Sequence, residues 1–96
     1  MAKLLSIDPA VLRRLRELEK NERIECLLSL CDLSEAFGQP HRHSGLSIRK
    51  LGGRLFECRG SLALRFLFQD RPGELFVSFV GTHDEVKTRL RTGRYR

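Results

Sequence analysis

Between Gln39 and Gly45 this 96-residue chain changes its hydrophobic period. Upstream, apolar residues recur three and four apart. Downstream they come in short runs of Leu, Ile, Phe and Val, separated by Gly52-Gly53, Gly60-Ser61 and Asp70-Arg71-Pro72-Gly73. A period near 3.6 belongs to helices and a period of 2 to strands, so a helical half precedes a β half. The connection Gln39-Pro40-His41-Arg42-His43-Ser44-Gly45 holds two helix breakers and no apolar side chain, which makes it a loop.

The helical half opens with a short strand over Lys3–Ile7. Asp8 then caps a helix with Pro9 at its first position, where the missing N–H costs nothing. Val11, Leu12, Leu15 and Leu18 share the face that seeks a core. Asn21 is read as the second cap. Ile24, Leu27, Leu28, Cys31 and Phe37 carry that helix's apolar period to Gly38, which suits a left-handed C-terminal position.

In the β half the spacing predicts a meander with strands at Leu46–Leu51, Leu55–Arg59, Leu62–Gln69 and Glu74–Val80. Leu62, Leu64, Phe66 and Phe68 share the face toward the helices, opposite Ala63, Arg65 and Leu67. Phe76 and Phe79 are read as core with Phe66 and Phe68. A turn with an odd number of residues at Gly60–Leu62 pairs Arg59 with Ala63 and puts Glu57, Arg59 and Arg65 together on the far face. Gly81-Thr82 ends the sheet, a short helix follows over Asp84–Leu90 with Val86 and Leu90 inward, and the tail is basic. The expected fold is α+β, one domain over residues 1–96. An N-terminal strand and helical hairpin pack on one face of a mostly antiparallel sheet, a short C-terminal helix follows, and the other face is left for a ligand.

Charge says what that ligand is. Residues 1–38 hold six Lys/Arg against seven Asp/Glu, whereas residues 39–96 hold twelve against five and all three histidines. A half-molecule at +7 favours polyanions, of which nucleic acids are the structured kind in the cytoplasm. No apolar run is long enough to span a bilayer, and Asp8-Pro9 interrupts any signal-peptide core, so the expected compartment is the cytoplasm. Cys26, Cys31 and Cys58 form no Cys-x-x-Cys pair and are read as buried free thiols.

The chain lacks a phosphate-binding glycine loop, zinc-type Cys/His spacing and a Gly-x-Ser-x-Gly elbow. What it has is a series of bases and cations, His41, Arg42, His43, Arg49, Lys50, Arg54, Arg59, Arg65 and His83. Such groups can cut RNA without a metal or another cofactor: a base takes the ribose 2′-OH proton, cations stabilise the crowded phosphate, and an acid protonates the leaving oxygen. Arginine suits the phosphate grip because it binds in two-pronged fashion and stays charged. The competing reading makes Arg59 and Arg65 salt-bridge partners of Glu57 or Glu74, and His83 a turn cap or the partner of a carboxylate.

The run His43 to Arg59, followed by Leu64-Arg65-Phe66-Leu67-Phe68, resembles the K-L-x-x-G-L-Y-E-x-R … Y-R-V-x-Y core of the RelE/ParE toxin superfamily. Gly81-Thr82-His83-Asp84-Glu85-Val86 resembles the G-T-H-x-x-L/V ending of its YafQ-like branch. The resemblance implies a type II toxin, acting as a ribosome-dependent mRNA endonuclease through the 2′-OH, with a cognate antitoxin protein and mRNA on the ribosome as partners. It implies no metal and no small-molecule cofactor. On it His83, Arg65, Arg59 and His43 are the catalytic candidates, and Arg49, Lys50, Arg54 and Lys87 the RNA-binding ones. Lys87 departs from the pattern, standing where YafQ-like members carry an aromatic residue. That departure keeps open an inactive relative that only binds an antitoxin; the other alternative is a ParE-like gyrase inhibitor, for which the basic tail and the helical hairpin would matter.

Overall fold

The computed structural model describes residues 3–39 and 45–93, so His41, Arg42, His43 and Tyr95 lie outside the described residues. The elements run β1 (Leu4–Ile7), α1 (Pro9–Arg16), α2 (Lys20–Ala36), β2 (Arg49–Gly52), β3 (Leu55–Arg59), β4 (Leu64–Arg71), β5 (Glu74–Thr82) and α3 (His83–Thr92). The five strands form one sheet in the order β1-β5-β4-β3-β2. Among the described residues only β1 runs parallel to its neighbour, β5; the remaining pairs are antiparallel. This is the expected α+β arrangement.

The first helix starts as its sequence requires, with the Asp8 carboxylate accepting from Ala10 N at 2.8 Å. The second starts one residue before Asn21, because Glu19 and not Asn21 is its cap. The Glu19 carboxylate accepts from the N–H groups of Asn21 (3.0 Å) and Glu22 (3.1 Å), and these two bonds hold its pKa below the usual carboxylate range. At the other end Gly38 takes the left-handed conformation, φ 87°, which glycine adopts without a Cβ penalty.

Helix α2 is rotated from its expected orientation. Cys26, Leu30, Leu33 and Ala36 face the sheet, while Ile24 (43% exposed), Leu27 (44%), Leu28 (60%) and Cys31 point to solvent. The helix carries two apolar stripes on opposite sides, and periodicity alone does not choose between them. The buried stripe leads into Phe37, whose ring meets Phe56 and Phe68 edge-on at 5.1 and 5.6 Å. Leu12 of α1 is likewise exposed, although Val11 and Leu15 are buried.

The core face of the sheet presents Phe56 and Cys58 from β3, Leu64, Phe66 and Phe68 from β4, and Leu75, Val77 and Val80 from β5. Two strand starts differ from expectation. Leu46 is buried in the turn before β2, and Leu62 lies 91% exposed at the β3–β4 turn instead of extending the inward stripe. Gly81 and Thr82 belong to β5, and α3 begins one residue early at His83.

Candidate functional site

In β3 and β4 the cross-strand partner of Arg59 is Arg65, not Ala63. Gly60 and Ser61 both donate to Leu64 O, so the turn is two residues longer than expected and its parity is kept. Arg65 in turn pairs with Gly81 of β5. Arg59, Arg65 and Gly81 therefore form one row across three strands, on the face away from the helical hairpin. Facing residues in such a ladder have Cα atoms about 4.5–5.5 Å apart. Arg59 is exposed and Arg65 half-buried, and among the described residues neither side chain has a hydrogen-bond or ion-pair partner.

The acids that could have quenched this row are engaged elsewhere. Glu57 is buried one level along the face, and its carboxylate forms an ion pair with Arg49 Nη2 at 2.6 Å. Glu74 pairs with Arg71 at 3.6 Å. Two cations held side by side without a carboxylate repel each other across the ladder, and a bound anion would relieve that repulsion.

His83 follows Gly81 by two residues, at the end of β5 and the start of α3, and it is exposed. Its position is fixed by a capping box. Thr82 Oγ1 accepts from Glu85 N at 3.2 Å, and Thr82 N donates to the Glu85 carboxylate at 2.8 Å. Arg14 of α1 adds a bond to the same carboxylate at 3.1 Å. The Thr82 N–H first, and then Arg14, keep the Glu85 pKa below its ordinary value. His83 is neither the cap nor the partner of a carboxylate among the described residues.

Helix α3 corrects the expectation of an open far face. It packs over β4 and β5, burying Val86 there together with Leu67. Gly81 lets it come close: a Cβ at that position would meet the Phe79 ring at 2.8 Å and Glu85 Cβ at 3.0 Å. Phe79 and Phe76, expected in the core, are half-buried on this face beneath the guanidinium groups of Arg89 (4.8 Å) and Arg71 (4.3 Å). The uncovered remainder is the Arg59–Arg65 row and its margin.

The other candidate cations do not all converge. Arg49 lies on the face of the row but is tied to Glu57, whereas Lys50 faces the opposite side, opposite Phe56. Arg54, in the β2–β3 turn, donates to Asp70 O at 3.3 Å. Lys87 is exposed on α3, in a cleft of about 500 Å³ with Asp84, Thr88, Leu90 and Arg91. His43 lies outside the described residues. Reasoning from sequence did not assign Glu57 its buried role; a lone carboxylate within an apolar run, Leu55-Phe56-Glu57-Cys58, was the signal available. Among the described residues no three His, Cys, Asp or Glu side chains come together as a metal site, and no helix is long and apolar enough to cross a membrane. The cysteines are all free, and only Cys26 and Cys58 are buried; Cys31 is exposed.

No family model matches the chain, and no curated protein matches it. Solved structures do. An archaeal RelE–RelB complex from Pyrococcus horikoshii OT3 contains a chain that matches with TM-score 0.70 at 17% identity, covering 85% of this chain and 96% of that one. A doubly substituted E. coli RelE toxin in the free state matches with TM-score 0.66 at 24% identity, covering 94% and 93%. The isolated E. coli RelE toxin matches with TM-score 0.65 at 19% identity, covering 93% and 99%. Coverage of 85–94% of this chain and 93–99% of theirs shows that this chain has the α+β fold of the RelE structures.

Proposed function

We propose that the chain is the toxin of a type II toxin–antitoxin pair and cuts mRNA on the ribosome. The carrying observation is the Arg59–Arg65 row, two uncompensated cations on the sheet face that the helical hairpin leaves free. Arg59 and Arg65 grip the scissile phosphate. The ribose 2′-OH attacks that phosphorus, the P–O5′ bond breaks, and the products are a 2′,3′-cyclic phosphate and a 5′-OH. His83, at the edge of the row, transfers one of the two protons, and His43 transfers the other. Arg49, on the same face as the row, Arg54 at the far end of β3 and Lys87 on α3 are the further cations offered to the RNA backbone, and Lys50 contributes charge from the opposite face of β2. An acidic antitoxin that covers the basic half restrains the protein, and the RelE–RelB complex among its structural neighbours supports that partner. The site of action is the cytoplasm.

The test is induced expression of the wild type, Arg65→Ala and His83→Ala, with primer extension on a reporter mRNA. Growth arrest with translation-dependent cuts that disappear in both variants is the expected result. The exposed Lys87, in place of a stacking aromatic, favours a second reading in which the protein binds its antitoxin without cutting. Arrest without cuts would shift the target to DNA gyrase, and no arrest would leave the binding role.

A further inference from the structure

We propose that α2 is a self-association surface through which two copies of this chain pair antiparallel. Ile24, Leu27, Leu28 and Cys31 stand at i, i+3, i+4 and i+7 on the solvent side of a helix whose other side already fills the core. A singly exposed leucine is ordinary, whereas four adjoining apolar side chains on one helical face mark a contact surface.

The partner is a second copy because the stripe is complementary to itself when reversed. Its centre lies between Leu27 and Leu28. About a twofold axis there, Leu27 faces the partner's Leu28, and Ile24 faces the partner's Cys31. The same axis sets Lys20 at one end opposite the partner's Glu35 at the other. Lys20 and Glu35 are both exposed, and among the described residues neither forms an ion pair. The pairing thus satisfies two otherwise idle opposite charges at each end of the seam, in the isologous way a twofold dimer requires. A parallel pairing of α2 would instead set Lys20 beside Lys20 and Glu35 beside Glu35. Because α2 covers the opposite side of the sheet from the Arg59–Arg65 row, the dimer leaves both rows outward. One helix per partner is a small interface, so the dimer is weak, with Kd on the order of 100 µM.

Sedimentation velocity of the purified chain from about 5 to about 500 µM is the first measurement. A monomer–dimer equilibrium is expected, weakened at least tenfold by Leu28→Asp, an exposed change that leaves the core intact. Lys20→Glu should weaken it, and Lys20→Glu combined with Glu35→Lys should restore it. Ile24→Cys should give an interchain disulfide to Cys31 when diamide takes up the two thiol hydrogens, and Ile24→Cys with Cys31→Ser should not. A monomer at every concentration overturns the proposal and assigns the stripe to a helix of another protein. A dimer insensitive to Leu28→Asp, one not restored by the charge swap, or one in which the Ile24→Cys variant fails to cross-link overturns it equally.

Discussion

Arg59 and Arg65 stand directly opposite each other across β3 and β4, with no carboxylate between them. Like charges in that register cost stability. Arg65→Ala should raise the stability of the free protein by about 0.2–1 kcal/mol, read as a higher urea midpoint with unchanged slope, while abolishing RNA cleavage. A variant that lost both stability and cleavage would mean that the pair is structural.

The Arg49–Glu57 bond joins an exposed cation, its side chain 65% accessible, to a buried carboxylate at 4%. The two partners are therefore unequal. Arg49→Ala strands a buried charge and should cost about 3 kcal/mol, whereas Glu57→Gln frees Arg49 to rehydrate and should cost about 1 kcal/mol. Chemical denaturation of both variants checks the order, and equal losses would refute this account.

Acid should loosen the start of α3 before the rest of the fold. The folded-state pKa of Glu85 is depressed, so its contribution is present above the unfolded-state value and is lost as pH falls through the folded one. Its side chain is 44% exposed, so solvent screening keeps the effect to a few tenths of a kcal/mol. The protection factors of the amides at residues 83–86, taken against their intrinsic exchange rates, should fall in mild acid in the wild type, and Glu85→Gln should show that lower protection already at neutral pH.

The thiols should divide by burial. Burial pushes Cys58 up to about 12 and also raises Cys26. A native-state thiol reagent should modify Cys31 alone, with the other two reacting only after unfolding. Because the folded-state pKa of Cys58 is raised, stability should be full below about 9 and decline as pH rises from there toward 12. A flat unfolding midpoint across that alkaline range would contradict the assignment.

Gly60 should resist substitution. A Cβ there would lie 2.8 Å from the Phe66 ring and 3.3 Å from Cys26 Sγ, both in the core. Gly60→Ala should cost about 1–3 kcal/mol by overpacking, measurable as a lower melting temperature; an unchanged melting temperature would show that the core yields.

The order of elements was legible because each is written in local chemistry: Asp8-Pro9 at a helix start, Gly38 at a helix end, alternation in Leu64–Phe68. The parity that puts Arg59 and Arg65 on one face was legible too. Their direct partnership was not, because it depends on where the Gly60–Ala63 turn closes, and that closure rests on Gly60 and Ser61 donating to Leu64 O. The orientation of α2 was hidden for a different reason: both of its stripes are apolar, and the one that turns inward is the one that packs into the core and leads to Phe37 against Phe56 and Phe68. The covering of Leu67 by α3 follows from a packing event between distant segments, with Arg14 and Glu85 71 positions apart.

The parallel pairing of β1 with β5 also sets a timetable for synthesis. Leu4 finds its partner only at Glu74, so the first strand made is among the last to be placed. At roughly 5–20 residues per second a ribosome needs several seconds to cover that interval. Throughout it Leu5 and Ile7 have no β5 to pair with, and the strand carrying Gly81 at the end of the arginine row does not yet exist. The nascent chain therefore lacks one side of the arginine row until β5 has been translated, which leaves an interval in which another molecule can meet the unassembled sheet.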